Sequence, residues 1–387
     1  MVTANKNRNI PLGTRDILFG EAEVYRKLTT SLTELYKSEG FCEIMTPGIE
    51  YYDVFKTGST LPQEQMYKMS DLDGRLIVLR ADNTTPIARV VASRLPDGEV
   101  HKLFYHQRVY RQMGGHTGRK NEVFQSGIEM VGASGLQSDL LCMVYALKTL
   151  ERLGGDYKLE IGHVGYYNAL IGELGLDESE SKKLRRLVDA KEINKITASE
   201  KIKEIPFLFG GEEVFERAAA LAEGNGEALS VLSYLKQTYD ALSAAGYKDK
   251  ILIDLGIVHA LDYYTGVVFR GYMEGAGESV LAGGRYDKLI SRFDTDVPAT
   301  GFGVNISTVV DTLIRAGAGE AKSCDAIAEL VTFDGDGLGA AIAYCAENAS
   351  AQLSPIAGAI QNLDYARKNG IPAVRMFTAE GSNVTEA

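Results

Sequence analysis

The amino-terminal part of the chain carries a helical pattern of apolar residues. Between residues 21 and 39, four apolar residues recur at helical spacing with charged residues among them: Val24, Leu28, Leu32 and Leu35. Gly40 follows where such a helix is expected to end, because glycine readily adopts the left-handed conformation found at helix C-termini. The pattern predicts an amphipathic helix over residues 21–39.

The pattern then changes to alternating apolar residues. In the stretch QMYKMSDLDGRLIVLR, Tyr67 and Met69 alternate with polar residues, and the pair Asp73 and Gly74 is typical of a tight turn. Residues 76–79 are all apolar, which indicates a largely buried return strand. We therefore expect a β-hairpin in this segment.

Five later stretches have the composition and length of β-strands: HKLFYHQRVYR, EVFQSGIEMVGA, YKLEIGHVG, KILIDLGI and DYYTGVVFRGY. They come in runs between helical segments, without the regular strand–helix alternation of a parallel sheet. The expected fold class is therefore α+β, with a mostly antiparallel sheet flanked by helices.

Two segments mark boundaries within the chain. Residues from about 168 to 246 are charge-rich and favour helices, as in DESESKKLRRLVDAKEINKI, and we interpret them as a helical insertion that splits the sheet domain. The small-residue stretch RAGAGEAKSCD indicates a linker to a small C-terminal α/β unit. The predicted domains are residues 1–320, which contain the insertion, and residues 321–387.

Composition and charge exclude several classes of function. The 387 residues include 41 basic and 52 acidic side chains, and the formal charge of -11 offers no general electrostatic surface for tRNA. The four cysteines are too far apart for a CxxC pair or a zinc cluster, as expected of buried thiols in a reducing compartment. The amino terminus lacks a hydrophobic targeting core, and no apolar run approaches the roughly 18 residues that span a bilayer. We expect a cytoplasmic protein with no membrane attachment, no metal and no cofactor.

Several motifs, in order, resemble histidyl-tRNA synthetase, a class II aminoacyl-tRNA synthetase. They are LRADNT at 79–84, YRQMGGHTGRKNEVFQSGIEMVG at 110–132, HALDYYTG at 259–266 and AGGRYDKL at 282–289. The similarity covers most of residues 10–320, and it implies the class II fold, an antiparallel sheet flanked by helices. The stretch IMTPGIE, which contains Pro47, resembles the dimerisation motif of that family and implies a homodimer.

The same resemblance implies a pocket for free histidine. The positions that match the histidine contacts of the family are Asp82, Thr84, Arg111, Gln125, Glu129, Tyr263 and Tyr264. Asp82 stands where the synthetases have glutamate, so the carboxylate is kept but its reach is one methylene shorter. Taken singly, these residues have a plainer interpretation, in which Gln125 and Glu129 are ordinary sheet residues and Tyr263 and Tyr264 are core aromatics.

The groups that would activate histidine with ATP are largely missing. That reaction needs cations on the phosphates and a platform for adenine, because it is assisted mainly by positioning and charge neutralisation. Arg111 remains, but Met113 replaces an acidic ATP contact and Val123 replaces a stacking phenylalanine of the family. Thr308 and His259 stand where the family has arginines, and a neutral imidazole lacks the permanent charge of arginine. We expect no catalytic residues in this chain.

A synthetase-like chain with a histidine pocket and without the ATP-binding arginines resembles the regulatory subunit of ATP phosphoribosyltransferase, which acts in histidine biosynthesis. The resemblance implies a non-catalytic chain that binds a short-form catalytic subunit in a hetero-oligomer, takes free histidine as its ligand and binds no tRNA. One alternative is an active or truncated histidyl-tRNA synthetase, against which the short tail from residue 323 also argues. A second alternative is a stand-alone histidine-binding module.

Overall fold

The computed structural model of the protein describes residues 9–59, 61–95, 98–113, 120–258, 264–319 and 327–387. The chain divides into two compact units. The first contains residues 24–317 together with the segment up to residue 17, and the second contains residues 318–387 together with residues 18–23. His259 and Tyr263 lie outside the described residues.

Ten helices up to residue 315 are found in the described part of the chain: α1 (Phe19–Ser38), α2 (Tyr52–Gly58), α3 (Thr84–Arg94), α4 (Leu136–Leu153), α5 (Val164–Gly172), α6 (Glu178–Asp189), α7 (Glu200–Glu204), α8 (Val214–Leu221), α9 (Gly226–Leu242) and α10 (Ile306–Arg315). The strands described over the same span are β1 (Cys42–Glu43), β2 (Ile49–Tyr51), β3 (Lys68–Ser70), β4 (Leu76–Leu79), β5 (His101–Tyr110), β6 (Glu122–Val131), β7 (Tyr157–His163), β8 (Phe209–Gly210), β9 (Ile251–Asp254), β10 (Val267–Met273), β11 (Leu281–Arg285) and β12 (Ala299–Asn305).

A large sheet forms the centre of the first unit. In the described residues its strand order is β1-β5-β6-β12-β11-β10-β7-β9-β8. Neighbouring strands run antiparallel, except that β1 is parallel to β5 and β7 is parallel to β9. The predicted α+β class with a mostly antiparallel sheet is confirmed.

The first predicted helix is confirmed as α1. Its apolar stripe is buried in the main core, where Leu32 is fully buried and Tyr36 is 1% exposed. The helix ends at Ser38, and Gly40 has the left-handed φ of +80° expected after a helix C-terminus.

The predicted hairpin is confirmed as β3 and β4, which pair antiparallel within a small three-stranded sheet of order β2-β4-β3. The expectation that residues 76–79 are largely buried is wrong, because Val78 is fully buried whereas Leu76 is 42% exposed. The physical reason is that Val78 packs into a small cluster with Phe55, Met66 and Ala81, which covers one face of the sheet.

Helices α5 to α9 and the short strand β8 lie between β7 and β9, as the charge-rich pattern of that region predicts. Helix α6 begins with a complete capping box, in which the Asp177 side chain accepts from the Glu180 backbone N–H and the Glu180 side chain accepts from the Asp177 N–H. Its buried residues, Leu184 and Val188, belong to the main core of the unit. The insertion is therefore packed against the sheet domain that it interrupts.

The second unit is a small α/β fold, as predicted. Its described elements are β13 (Glu329–Phe333), α11 (Leu338–Glu347), β14 (Ala351–Leu353), α12 (Ala359–Asn369), β15 (Ala373–Thr378) and β16 (Gly381–Glu386). The strand order is β14-β13-β15-β16, with β14, β13 and β15 parallel and β16 antiparallel. No helix in the described ranges is long and apolar enough to cross a membrane.

Candidate functional site

A cavity of about 240 Å³ opens on the central sheet of the first unit. Six of the seven residues predicted to bind histidine line it: Asp82, Thr84, Arg111, Gln125, Glu129 and Tyr264. Tyr263, the seventh, lies outside the described residues. The structure thus brings together side chains from the start of α3, from β6 and from the segment that precedes β10.

The cavity exists because small residues occupy the middle of the sheet. Gly303 on β12 pairs with Gly127 on β6 and with Ala282 on β11. Gly301 pairs with Glu129, and a Cβ atom at Gly301 would overlap the carboxylate of Glu129. Larger side chains at these positions would fill the space that the cavity occupies.

Glu129 is the buried acidic group of the site, with 1% of its surface exposed. Its Oε1 accepts a hydrogen bond from the Thr84 hydroxyl at 2.8 Å, and its Oε2 accepts one from the Tyr286 hydroxyl. Burial raises the pKa of Glu129 to about 7, although both hydrogen bonds act in the opposite direction. The Glu129 side chain therefore changes between its protonated and its ionised form near neutral pH.

Asp82 is the second acidic group, and it is held at the beginning of α3. Its carboxylate accepts from the Thr85 backbone N–H at 2.7 Å and from the Thr85 hydroxyl at 3.0 Å. Asp82 also contributes to the raised pKa of Glu129, because the two carboxylates repel each other. Together they make the wall of the cavity formed by α3 and β6 acidic.

Arg111 supplies positive charge to the same cavity. Its Nε donates to the carbonyl oxygen of Ala81 at 2.7 Å, which fixes the guanidinium next to the segment that carries Asp82. Gln125 accepts a hydrogen bond from the Asn83 amide at 3.1 Å. Two carboxylates and a guanidinium around a small cavity suit a zwitterionic amino acid, whose ammonium and carboxylate groups need opposite partners.

A second cavity, of about 590 Å³, shares Arg111 with the first. It brings together the three described positions where the sequence departs from the ATP-binding pattern of the synthetases, namely Met113, Val123 and Thr308. The Thr308 hydroxyl donates to the Glu278 carboxylate at 3.0 Å. The position expected to hold a nucleotide-binding cation thus holds a neutral side chain bonded to an acid.

The other cations that line the second cavity are bonded within the protein. Lys120 forms an ion pair with Asp311, and Arg15 binds the same carboxylate at 2.7 Å. Arg315 donates to the Thr312 hydroxyl at 3.2 Å. A triphosphate entering this cavity would have to displace these partners, at a cost in free energy. Among the described residues, no group of three or more His, Cys, Asp or Glu side chains could hold a metal ion.

Comparison with known proteins shows the family of this chain. A family model described as histidyl-tRNA synthetase matches residues 13–309. An ATP phosphoribosyltransferase regulatory subunit from Clostridium kluyveri is 39% identical over 326 residues, which cover 80% of this chain and 83% of the relative. The chain belongs to the family of ATP phosphoribosyltransferase regulatory subunits.

Solved structures support the same fold for this family member. A crystal structure from Bacillus halodurans, described as an ATP phosphoribosyltransferase regulatory subunit/histidyl-tRNA synthetase, superposes with a TM-score of 0.83 at 29% identity. It covers 96% of this chain and 98% of its own. A histidyl-tRNA synthetase from a Nostoc species superposes with a TM-score of 0.76 at 19% identity, covering 98% of this chain and 95% of its own, which shows a shared fold.

Several side chains that line the first cavity were not predicted from the sequence, among them Asn83, Tyr105 and Tyr286. Tyr286 lies inside the motif AGGRYDKL. Nothing in the sequence around it indicates that its hydroxyl reaches Glu129. Tyr105 lies opposite Gly127 in the pairing of β5 with β6. Only that register places it on the same face of the sheet as Gln125 and Glu129, because paired residues share a face.

Proposed function

We propose that this chain is a histidine-sensing regulatory subunit, without synthetase activity, that binds the short-form catalytic subunit of ATP phosphoribosyltransferase in the cytoplasm. The observation that carries the proposal is the first cavity, in which Asp82, Glu129 and Arg111 surround a space suited to one amino acid. Bound histidine would favour one state of the assembly over another, and the catalytic rate would follow that preference.

The second cavity supports the absence of aminoacylation. Adenylate formation places negative charge on a phosphoryl group, and fixed cations must stabilise that charge. Here Thr308 is neutral, and Lys120 and Arg15 are paired with Asp311. In this proposal the chain keeps a site for the amino acid, while its nucleotide site has a neutral Thr308 and a Lys120 whose charge is balanced by Asp311.

An exposed apolar surface supports a homodimer of the regulatory subunit. Ile49 and Tyr51 project from the same face of β2, and they are 51% and 41% exposed. Met69 on β3 is 40% exposed, and Met45, just before Pro47, is 78% exposed. We propose that a second copy of this chain covers this face, because a closed symmetric contact would remove the apolar surface from water.

The test combines assembly with kinetics. The purified chain is mixed with a short-form catalytic subunit, and complex size is followed by light scattering while phosphoribosyl transfer to ATP is followed with and without histidine. We expect a larger complex, a higher rate than that of the catalytic subunit alone, and inhibition by histidine. The variant Glu129→Ala should keep assembly and lose sensitivity to histidine.

Glu122→Ala provides a matched control. Glu122 lies on the same strand as Glu129 but pairs with Arg108 outside the first cavity, so its removal should leave sensitivity to histidine unchanged. A mixture that forms no complex would favour the stand-alone histidine-binding module. Histidine-dependent exchange of pyrophosphate into ATP at the rate of a true synthetase would favour the enzyme alternative and contradict the regulatory proposal.

A further inference from the structure

Asp139 is a buried carboxylate that joins the helical insertion to the central sheet. It lies in the first turn of α4 and is 1% exposed. Its Oδ1 accepts a hydrogen bond from the Nε of Arg285 on β11 at 2.8 Å, and its Oδ2 accepts one from the hydroxyl of Tyr234 on α9 at 2.6 Å. One oxygen is therefore bonded to the sheet that carries the first cavity, and the other is bonded to the insertion.

Arg285 extends this contact to two walls of the first cavity. Its carbonyl oxygen accepts from the backbone N–H of Thr265 at 2.8 Å, and Thr265 follows Tyr264, which lines the cavity. Arg285 also directly precedes Tyr286, whose hydroxyl donates to Glu129. The position of Arg285 therefore affects both tyrosines, although Arg285 itself does not line the cavity.

Further contacts tie the Arg285 side chain to the segment that precedes β10. Its Nη1 donates to the Asp287 carboxylate at 2.9 Å, and the Asp287 backbone N–H donates to the Thr265 hydroxyl at 3.1 Å. A Cβ atom at Gly266 would lie 3.1 Å from the Arg285 side chain, so the backbone after Thr265 packs directly on that side chain. A rotation of the guanidinium would therefore displace the segment that carries Tyr264.

The Tyr234 hydroxyl is suited to hold Asp139 in place. Burial, followed by the hydrogen bond to Asp139, raises the pKa of Tyr234 above its ordinary value, so the hydroxyl remains a donor at physiological pH. Without this donor, one oxygen of a buried carboxylate would lose its hydrogen bond, which favours a different orientation of Asp139 and of the guanidinium bound to it. No residue of α5 to α9 in the described chain lines the first cavity, so this hydrogen bond reaches the site from outside it.

We propose that Tyr234 is a positioning residue that couples the helical insertion to the first cavity: its hydrogen bond to Asp139 sets the orientation of Arg285, and Arg285 in turn places Tyr264 and Tyr286 around the ligand. This inference rests on the proposed binding of histidine. The coupling is reciprocal, because a contact that favours ligand binding is itself favoured by the bound ligand. Histidine in the cavity therefore stabilises the contact of α9 with α4.

The first test is calorimetry with histidine on three purified proteins: wild type, Tyr234→Phe and the control Tyr166→Phe. Tyr166 is fully buried on α5, and its hydroxyl donates to the carbonyl oxygen of Ala218 at 2.9 Å within the insertion. The control thus removes a hydroxyl group and one hydrogen bond from the insertion without touching Asp139. Thermal melting of each variant shows whether it is folded.

Tyr234→Phe should weaken histidine binding by about 3- to 10-fold, as expected for a coupled residue outside the site. Tyr166→Phe should bind histidine as wild type does, even where its melting temperature falls as far as that of Tyr234→Phe. Equal histidine affinity in wild type and Tyr234→Phe would overturn this inference while leaving histidine binding intact. Failure of wild type to bind histidine at all would overturn the proposed function and this inference together.

The second test is hydrogen exchange of the backbone amides of α9, measured by mass spectrometry with and without saturating histidine. By reciprocity, histidine should slow exchange in α9 of wild type by about 3- to 10-fold as well, and it should not slow exchange there in Tyr234→Phe. A purely structural hydroxyl would leave the effect of histidine the same in both proteins. Exchange in α9 of wild type that histidine leaves unchanged, at a concentration where calorimetry shows the cavity to be filled, would also overturn the coupling.

Discussion

Thr84, in the first turn of α3, donates its hydroxyl hydrogen to the buried carboxylate of Glu129 on β6 across 2.8 Å. The two residues are 45 positions apart in the chain, and the contact joins the helix that begins just after Asp82 to the sheet that carries Gln125. With the Tyr286 hydroxyl on its other oxygen, Glu129 is held by two donors while only 1% of its surface is exposed. This arrangement has consequences for stability and for ligand binding.

The first prediction concerns the pH dependence of folding. The pKa of Glu129 is raised from its ordinary value of 4.5 to about 7, chiefly by burial, so the folded protein holds a proton that the unfolded chain releases. The resulting contribution to stability is fully present below about pH 4.5 and is lost as pH rises through 7. We expect the free energy of unfolding of wild type, relative to Glu129→Gln, to fall by about 3 kcal/mol between pH 4.5 and 8. Urea denaturation at a series of pH values measures this difference, and parallel pH curves for the two proteins would contradict it.

The second prediction concerns histidine affinity. Glu129→Ala removes a buried charged acceptor and leaves Thr84 and Tyr286 without their partner, and such losses typically cost about 1.5 to 3 kcal/mol. Histidine should bind roughly ten- to a hundredfold more weakly in calorimetry. Glu122→Ala, on the same strand, should bind as wild type does, and equal binding by both variants would show that the cavity is wrongly assigned.

The third prediction concerns adenylate chemistry. Thr308→Arg should not produce histidine-dependent exchange of pyrophosphate into ATP, because Met113 and Val123 still line the second cavity and Asp311 is still available to neutralise a new cation. The double variant Thr308→Arg/Asp311→Asn tests whether the Asp311 carboxylate prevents exchange by neutralising the new arginine. Exchange restored by Thr308→Arg alone would mean that the arginine missing at position 308 is the whole defect and that His259, Met113 and Val123 do not prevent the reaction.

The fourth prediction concerns tRNA. The formal charge of -11 means that acidic residues outnumber the cations that would replace the counterions of a polyanion. In a gel-shift assay at moderate salt, histidine-specific tRNA should be retained no better than an unrelated tRNA. Tight retention that is specific for histidine tRNA would refute the prediction.

The fifth prediction concerns the core beside the site. Arg285, which precedes Tyr286, is 6% exposed and binds the carboxylate of Asp139 at 2.6 Å, and Asp139 is 1% exposed. Asp139→Ala would leave a buried guanidinium without its main partner, so we expect a loss of about 3 to 5 kcal/mol in the free energy of unfolding. Tyr234→Phe removes only the hydroxyl that donates to Asp139 at 2.6 Å and should cost about 1 kcal/mol. Chemical denaturation measures the free energy of unfolding of both variants. Equal losses would show that the ion pair between Arg285 and Asp139 is not the main contribution of Asp139 to stability.

Local patterns in the sequence were sufficient to predict much of the fold. Helix α1 was predicted to within two residues at its start and one at its end, because a 3.6-residue period of apolar side chains reflects the burial of one face. The hairpin of β3 and β4 followed from alternation and the Asp73–Gly74 turn. The burial of β4 was overestimated, because a run of apolar residues does not reveal whether both faces of a small sheet are covered.

The sequence by itself determined which chemical groups this protein has: the carboxylates of Asp82 and Glu129, the hydroxyl of Thr84, and a neutral threonine at position 308, where a nucleotide-binding cation is expected. Only the tertiary structure decided how those groups are used. Strand register set Tyr105 over Gly127, and the packing of α3 on the sheet joined Thr84 to Glu129. Such contacts depend on the pairing of distant segments, and a shift of one residue in register would turn every side chain of a strand to the other face. Local spacing in the chain therefore could not specify them.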